Sequence, residues 1–232
     1  MDKAIEVKNI SKTYNKTIAL DDISFDIEKG KVLGLLGPSG SGKSSLIKIL
    51  AGLVKADQGT FNIFGKSLDS KLKSQISYKA DDLIIDEKLR IVDLIDLNNS
   101  FYPNFSTEEV EKILDYLNLD NKRGLIGLSK GERQKLNVIL AFGKNADIYL
   151  LDEIFDGLDP ISTSKVMDLL IDRIDGEKTF IIASQQLELV ESLLNEVIFL
   201  DNGRIHYRDT ALGINRTQRA DISEFYDSIY LD

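Results

Sequence analysis

The stretch Val32-Leu33-Gly34-Leu35-Leu36-Gly37-Pro38-Ser39-Gly40-Ser41-Gly42-Lys43-Ser44-Ser45-Leu46-Ile47-Lys48-Ile49-Leu50 decides how the rest of this chain is read. Its first five residues are apolar without alternation, which predicts a strand covered on both faces. Its last six have helical character, so the segment reads as strand, loop and helix. The loop between them fits the pattern G-x-x-x-x-G-K-S/T in the context that pattern requires. Gly37, Pro38, Ser39, Gly40, Ser41 and Gly42 form a turn in which successive backbone N–H groups converge on phosphate oxygens, in a nest at the positive end of the helix. Ser45 follows in the first turn. The Lys43 ammonium suits the β- and γ-phosphates, and the Ser44 hydroxyl suits Mg²⁺. Nucleotide binding is the firmest functional expectation.

Outward from this unit the chain alternates. Ile5-Glu6-Val7 and Ile18 to Ile27 show the apolar–polar period of half-buried antiparallel strands, and Gly59 to Gly65 predicts another short strand. The signal weakens from there to about residue 85, and the chain then reads as mainly helical to Phe142. The best helix starts at Ser106, with Glu109 completing a capping box and Val110, Ile113, Leu114 and Leu117 on one face. The last third predicts strand, helix, strand, helix and strand at 148–151, 161–174, 179–183, 185–195 and 197–200. Such alternation calls for a parallel sheet with crossover helices. Asp201-Asn202-Gly203 marks a hairpin into Arg204 to Tyr207. Beyond Asp209, only Ile222, Phe225, Tyr226 and Ile229 stand out, at the spacing of a packed terminal helix.

Composition narrows the classes. The 232 residues carry 29 Lys and Arg against 38 Asp and Glu, a net charge of −9. That balance argues against a broad nucleic-acid-binding face. The absence of cysteine excludes disulfides, thiolate metal sites and thiol nucleophiles. Charges near Met1 argue against a secretory leader. No run approaches the roughly 20 apolar residues of a spanning helix, so a membrane partner is expected to be another chain or domain.

A second cluster of chemistry stands at Ile148-Tyr149-Leu150-Leu151-Asp152-Glu153. Acids at the carboxyl end of a parallel strand face the crevice where open α/β sheets bind ligands. Asp152 can hold Mg²⁺ directly or through water, and Glu153 can polarise an attacking water.

Two further stretches choose among the proteins that share such motifs. Leu128-Ser129-Lys130-Gly131-Glu132-Arg133-Gln134-Lys135 resembles the ABC signature, Leu-Ser-Gly-Gly-Gln in its commonest form, and Ser129 stands 23 residues before Asp152. Asp152 to Pro160 resembles the Walker B acids running into a D-loop. From Ile5 to about Tyr207 the chain therefore resembles the ATP-binding subunits of ABC transporters. The resemblance implies an α/β P-loop NTPase of ABC type, with a mainly parallel central sheet, an N-terminal antiparallel β subdomain and an inserted helical subdomain. One domain would fill 1–232: a RecA-like core plus antiparallel β at about 1–80 and 145–208, helices at about 85–143, and a tail at 209–232.

The resemblance also implies roles. ATP with Mg²⁺ would be hydrolysed in a head-to-tail dimer, homo- or heteromeric, in which Ser129, Lys130, Gly131, Glu132 and Asp159 of one subunit address ATP held by the P-loop of the other. Ser129 suits an N-cap, Gly131 admits a ligand to the backbone, and Leu136, Ile139 and Leu140 turn one helix face to the core. Tyr14 matches an aromatic residue that stacks on adenine. An integral membrane permease on a separate chain would receive the motion, with this subunit cytoplasmic and peripheral on the inner face of the membrane. Phe101-Tyr102-Pro103-Asn104-Phe105 before the capped helix resembles compact bacterial exporters of drugs, lantibiotics or antimicrobial peptides.

Three positions depart from the pattern. Lys130 replaces the first signature glycine. Asp81 stands at the Q-loop position, where it could bind Mg²⁺ or water but not donate a hydrogen bond when ionised. Gln185 stands where the family has its switch histidine, and an amide can donate but carries no proton or charge. Gln185 therefore predicts slow hydrolysis, or an ATP-holding subunit beside a more active sister. The only histidine, His206, is expected at the surface. Other classes are a non-transport ABC ATPase of ribosomes or DNA, disfavoured by the single short domain and acidic charge, and an ATP-binding regulatory module.

Overall fold

The computed structural model describes residues 2–79 and 88–230. Two long strands, β1 (Lys3–Tyr14) and β2 (Thr17–Glu28), form an antiparallel hairpin that β4 (Gln58–Ile63) and β5 (Lys66–Ser67) extend into a four-stranded sheet. The second sheet runs β10-β9-β3-β8-β7-β6, from β3 (Val32–Leu36), β6 (Ile76–Lys79), β7 (Ile148–Asp152), β8 (Thr179–Ala183), β9 (Glu196–Asp201) and β10 (Arg204–Thr210). All its neighbours pair in parallel except the β9–β10 hairpin at one edge.

The uninterrupted apolar runs of this sheet are explained by two cores. Val32, Tyr149, Leu151, Phe180, Ile182, Val197 and Phe199 face a core shared with the helices, whereas Leu33, Leu35, Ile148, Leu150, Ile181, Ile198 and Leu200 face one shared with the antiparallel sheet and α1 (Lys43–Leu50). A strand with apolar neighbours on both sides has no reason to alternate.

The helical side is built from α3 (Ile91–Phe101), α4 (Thr107–Leu117), α5 (Lys130–Gly143) and α6 (Pro160–Ile171). The expected face Val110, Ile113, Leu114 and Leu117 is buried, and the Ser106 hydroxyl accepts from the Glu109 N–H at 3.2 Å. Gly143 permits the close approach of α4 to α5, since a Cβ there would lie 2.2 Å from Val110 Cγ2.

Two expectations need correction. The weak region before residue 85 holds a short helix, α2 (Ser70–Ser74), and then β6, an edge strand of the main sheet. Its pattern concealed it because Ser77 and Lys79 are buried polar residues, bonded to backbone carbonyls of other elements. The helix expected over 185–195 is one turn, α7 (Leu187–Val190), followed by a 3-10 turn at Glu191–Leu193. Leu194 is extended, and Asn195 is spent on the sheet: its Oδ1 accepts from Val32 N and its N–H reaches Val32 O.

The tail folds into α8 (Ala211–Gln218) and α9 (Ile222–Tyr230). Phe225, Tyr226 and Tyr230 gather round Phe199, and the Tyr230 hydroxyl donates to Leu200 O at 3.0 Å. His206 is exposed, as expected.

Candidate nucleotide site

Parallel pairing of β3, β8 and β7 brings their carboxyl ends to one edge of the sheet, and there the motif residues meet. The loop after β3 depends on glycine. Gly37 has φ +145° and Gly42 φ +110°; a Cβ on them would lie 2.2 Å from Leu200 O and 2.4 Å from Ala19 O. Gly42 also caps α1, so no side chain covers the first N–H groups of that helix. Lys43 Nζ folds back to donate to Gly37 O at 2.6 Å and Pro38 O at 2.9 Å. Burial holds its pKa below the usual lysine value, against the opposing pull of Glu153 and Asp152.

A cavity of about 240 Å³ opens over this loop, lined by Ala19, Ser39, Gly40, Gly42, Lys43, Ser44, Ser45, Glu153 and Gln185. Its concave wall of backbone donors and an ammonium is chemistry for phosphate. A larger cavity of about 630 Å³, bordered by Lys29, Gln75 and Asp147, lies at the amino ends of the parallel strands, away from the crevice side of the fold.

Asp152 ends β7 and is 1% exposed. Glu153 turns out of the strand with φ +48°, its N–H donating to Ala183 O at 2.8 Å. The Gln185 N–H donates to Glu153 Oε2 at 3.1 Å, so the switch position and the acid are in direct contact. Burial raises the Glu153 pKa, opposed by the Gln185 hydrogen bond and by Lys43. A carboxylate held above its ordinary range is a better proton acceptor. Among the described residues no three His, Cys, Asp or Glu cluster as a metal cage. One hydroxyl and one carboxylate, Ser44 and Asp152, fit Mg²⁺, which keeps waters and takes phosphate oxygens instead.

The remaining candidates lie elsewhere. Ser129 caps α5: its hydroxyl accepts from the Glu132 N–H at 3.3 Å, and Glu132 Oε2 accepts from the Ser129 N–H at 2.9 Å. The other Glu132 oxygen is paired with Arg123. Lys130 pairs with Asp156 at 2.7 Å and lies over Gly157, while a Cβ on Gly131 would come within 3.0 Å of Gly157 O. Asp159 caps α6, accepting from the N–H groups of Ile161 and Ser162. Tyr14 is 40% exposed at the end of β1, with Lys12 Nζ 5.3 Å from its ring centre. None of these six lines the P-loop cavity. Asp81 lies outside the described residues.

Lys79 was not singled out by its sequence. It is 1% exposed, and its Nζ donates to Asp152 O at 2.8 Å and Glu153 O at 2.7 Å. A lysine closing an otherwise weak strand is the only trace of it in the sequence.

The family model for the ABC transporter matches residues 20–156. An uncharacterised ABC transporter ATP-binding protein of Methanocaldococcus jannaschii is 31% identical over 214 residues, covering 89% of this chain and 78% of that protein. The daunorubicin/doxorubicin resistance ATP-binding protein of Streptomyces peucetius is 30% identical over 212 residues, 88% of this chain and 64% of that protein. A phosphonates import ATP-binding protein of Fusobacterium nucleatum is 27% identical over 252 residues, 98% of this chain and 100% of that protein. A solved ATP-binding subunit of an ABC transporter superposes with a TM-score of 0.86 at 26% identity, over 97% of this chain and 99% of that one.

Proposed function

This chain belongs to the ABC transporter family, as an ATP-binding subunit with ATPase activity, and from that premise we propose that it powers export of a drug or antimicrobial peptide through a permease carried on a separate chain. Similarity to the drug-resistance protein of Streptomyces peucetius supports the direction, together with the Phe101–Phe105 stretch ahead of α4. The phosphonates import protein is the competing precedent. Inside-out membrane vesicles carrying the whole transporter discriminate them: ATP-driven uptake of substrate into the vesicles supports export, and ATP-driven loss from them overturns it. No described helix is long and apolar enough to cross a membrane. A peripheral place on the inner face follows from the proposed permease.

The observation that carries the hydrolytic reading is the single cavity joining the P-loop donors, Lys43 and Ser44 to Glu153 and Gln185. Backbone N–H groups within residues 39–45 bind and orient the phosphates, and Lys43 turns from Gly37 O and Pro38 O to their β- and γ-oxygens. Mg²⁺, held by Ser44 and Asp152, would neutralise phosphate charge. Glu153 accepts a proton from the attacking water, while the Gln185 backbone keeps its carboxylate in place. Asp81 belongs to the same proposal as a Q-loop residue. Glu153→Gln should lower turnover roughly 10²–10⁴-fold and leave ATP binding intact; an unchanged rate overturns this assignment.

Ser129, Lys130, Gly131, Glu132 and Asp159, remote from this chain's own cavity, would complete the site of a second ATPase subunit in a head-to-tail dimer, and Tyr14 would stack on adenine, which is worth about 1–3 kcal/mol by analogy with other bases. A second reading, slow hydrolysis in an asymmetric pair, is favoured by Gln185 lining the cavity. If Gln185→His is no faster than the natural chain, position 185 does not limit turnover.

A further inference from the structure

We propose that Lys79 is a positioning residue for ATP hydrolysis: its ammonium, anchored on β6, grips the backbone of Asp152 and Glu153 and so keeps the Glu153 carboxylate aimed into the P-loop cavity. The inference rests on the reading of Glu153 as the general base.

Lysine is almost never buried without partners, because an ammonium removed from water needs its three donors met. Lys79 is among the largest fully buried side chains, and two of its acceptors are consecutive backbone carbonyls of the acid pair, at 2.8 and 2.7 Å. The parallel ladder between β6 and β7 runs to the Lys79–Leu151 pair. Beyond it, the last carbonyl of β7, Asp152 O, and the first after the strand, Glu153 O, receive the ammonium.

Successive carbonyls of an extended strand point to opposite sides, so they meet one cation only where the chain leaves the strand. It does so at Glu153, whose φ of +48° is unusual for a non-glycine residue. Such a conformation is strained for a residue with a Cβ and persists where its surroundings over-determine it. Three contacts do that: Ala183 O takes the Glu153 N–H from the β8 side, Lys79 holds the Glu153 carbonyl from the β6 side, and the Gln185 N–H holds the carboxylate. Two of the three are backbone donors or acceptors that substitution leaves in place. Lys79 is the one whose removal frees the turn.

The test compares Lys79→Met and Lys79→Arg, each alone and combined with Glu153→Gln, in the whole transporter. Single-turnover rates and calorimetric affinity for ATP with Mg²⁺ are measured together. Lys79→Met is expected to lower the rate about 10–100-fold, the usual consequence of a catalytic group displaced by an ångström, with affinity unchanged. Lys79→Arg, which keeps the charge and donors, restores part of the rate. In the Glu153→Gln background, Lys79→Met adds no further loss, because the group it positions is already gone. A wild-type rate for Lys79→Met overturns the inference, and so does an equal loss in both backgrounds, which marks a merely structural role. Where Lys79→Met does not fold, Lys79→Gln, which keeps a donor without the charge, is read by the same two comparisons. A wild-type rate for Glu153→Gln by itself overturns the general-base reading instead.

Discussion

The N-termini of α1 and α5 are the two ends proposed to address phosphate, yet they begin in opposite ways. At α1 the cap is Gly42, which has no side chain, and the first N–H groups open onto a cavity containing Lys43 and Ser44. At α5 the cap is Ser129, and a reciprocal box with Glu132, reinforced by Arg123, takes up the N–H groups of Glu132 and of Ser129 itself. Lys130, Gly131, Asp156 and Gly157 then pack against each other at the surface. The first end is held in readiness for an anion by backbone geometry alone. The second satisfies itself within the chain, so a nucleotide from another subunit would have to compete with the chain's own capping carboxylate.

The sharpest way to break the contrast is to remove the geometry of the first site. Gly37→Ala places a Cβ 2.2 Å from Leu200 O at φ +145°, whereas Gly40→Ala meets nothing within 4 Å at φ +81°. Calorimetry should find ATP binding abolished by the first change and only weakened by the second; equal effects would mean that steric fit of the loop is not what makes the site.

Glu153 gives the next largest effect. Its pKa lies above the ordinary carboxylate range because of burial, so the acid limb of the turnover profile should fall at a pH above that range. The same shift has a stability sign. A carboxyl whose pKa rises on folding favours the fold while protonated, and that contribution is lost as pH rises through the folded-state value. Glu153→Gln should therefore raise the melting temperature at neutral pH, with the gain vanishing below the unfolded-state pKa. A lowered melting temperature at neutral pH would contradict the burial argument.

The smallest effect belongs to the second helix end. Ser129→Ala removes one cap and should cost about 1 kcal/mol, or roughly 2–4 °C in melting temperature for a chain of this size. ATP binding by the separate subunit should not change, since Ser129 lines no part of its cavity. A fall in that affinity would show that the two helix ends are not independent.

Much of the fold was legible because its signals are local. The doubly buried strands, the hairpin at Asn202-Gly203 and the N-caps Ser106 and Ser129 each lie within a few residues of sequence, although the Glu109 carboxylate expected to complete a box with Ser106 pairs with Arg173 instead. What escaped was controlled from a distance. β6 looked too polar for a core strand because Ser77 spends its hydroxyl on Ala141 O of α5, 64 residues away, and Lys79 spends its ammonium on β7. The segment after Gln185 had apolar residues enough for a long helix, but Asn195 was needed to bond Val32.

The sequence by itself determined that a phosphate loop follows a buried strand, because the glycines at 37, 40 and 42 and the lysine after them dictate their own backbone conformation and chemistry. Only the tertiary structure decided that Gln185 would touch Glu153 and that Lys79 would hold the acid pair from below. Those contacts join the ends of three neighbouring strands, and strand order in a sheet is a property of how the whole chain packs, not of any segment within it.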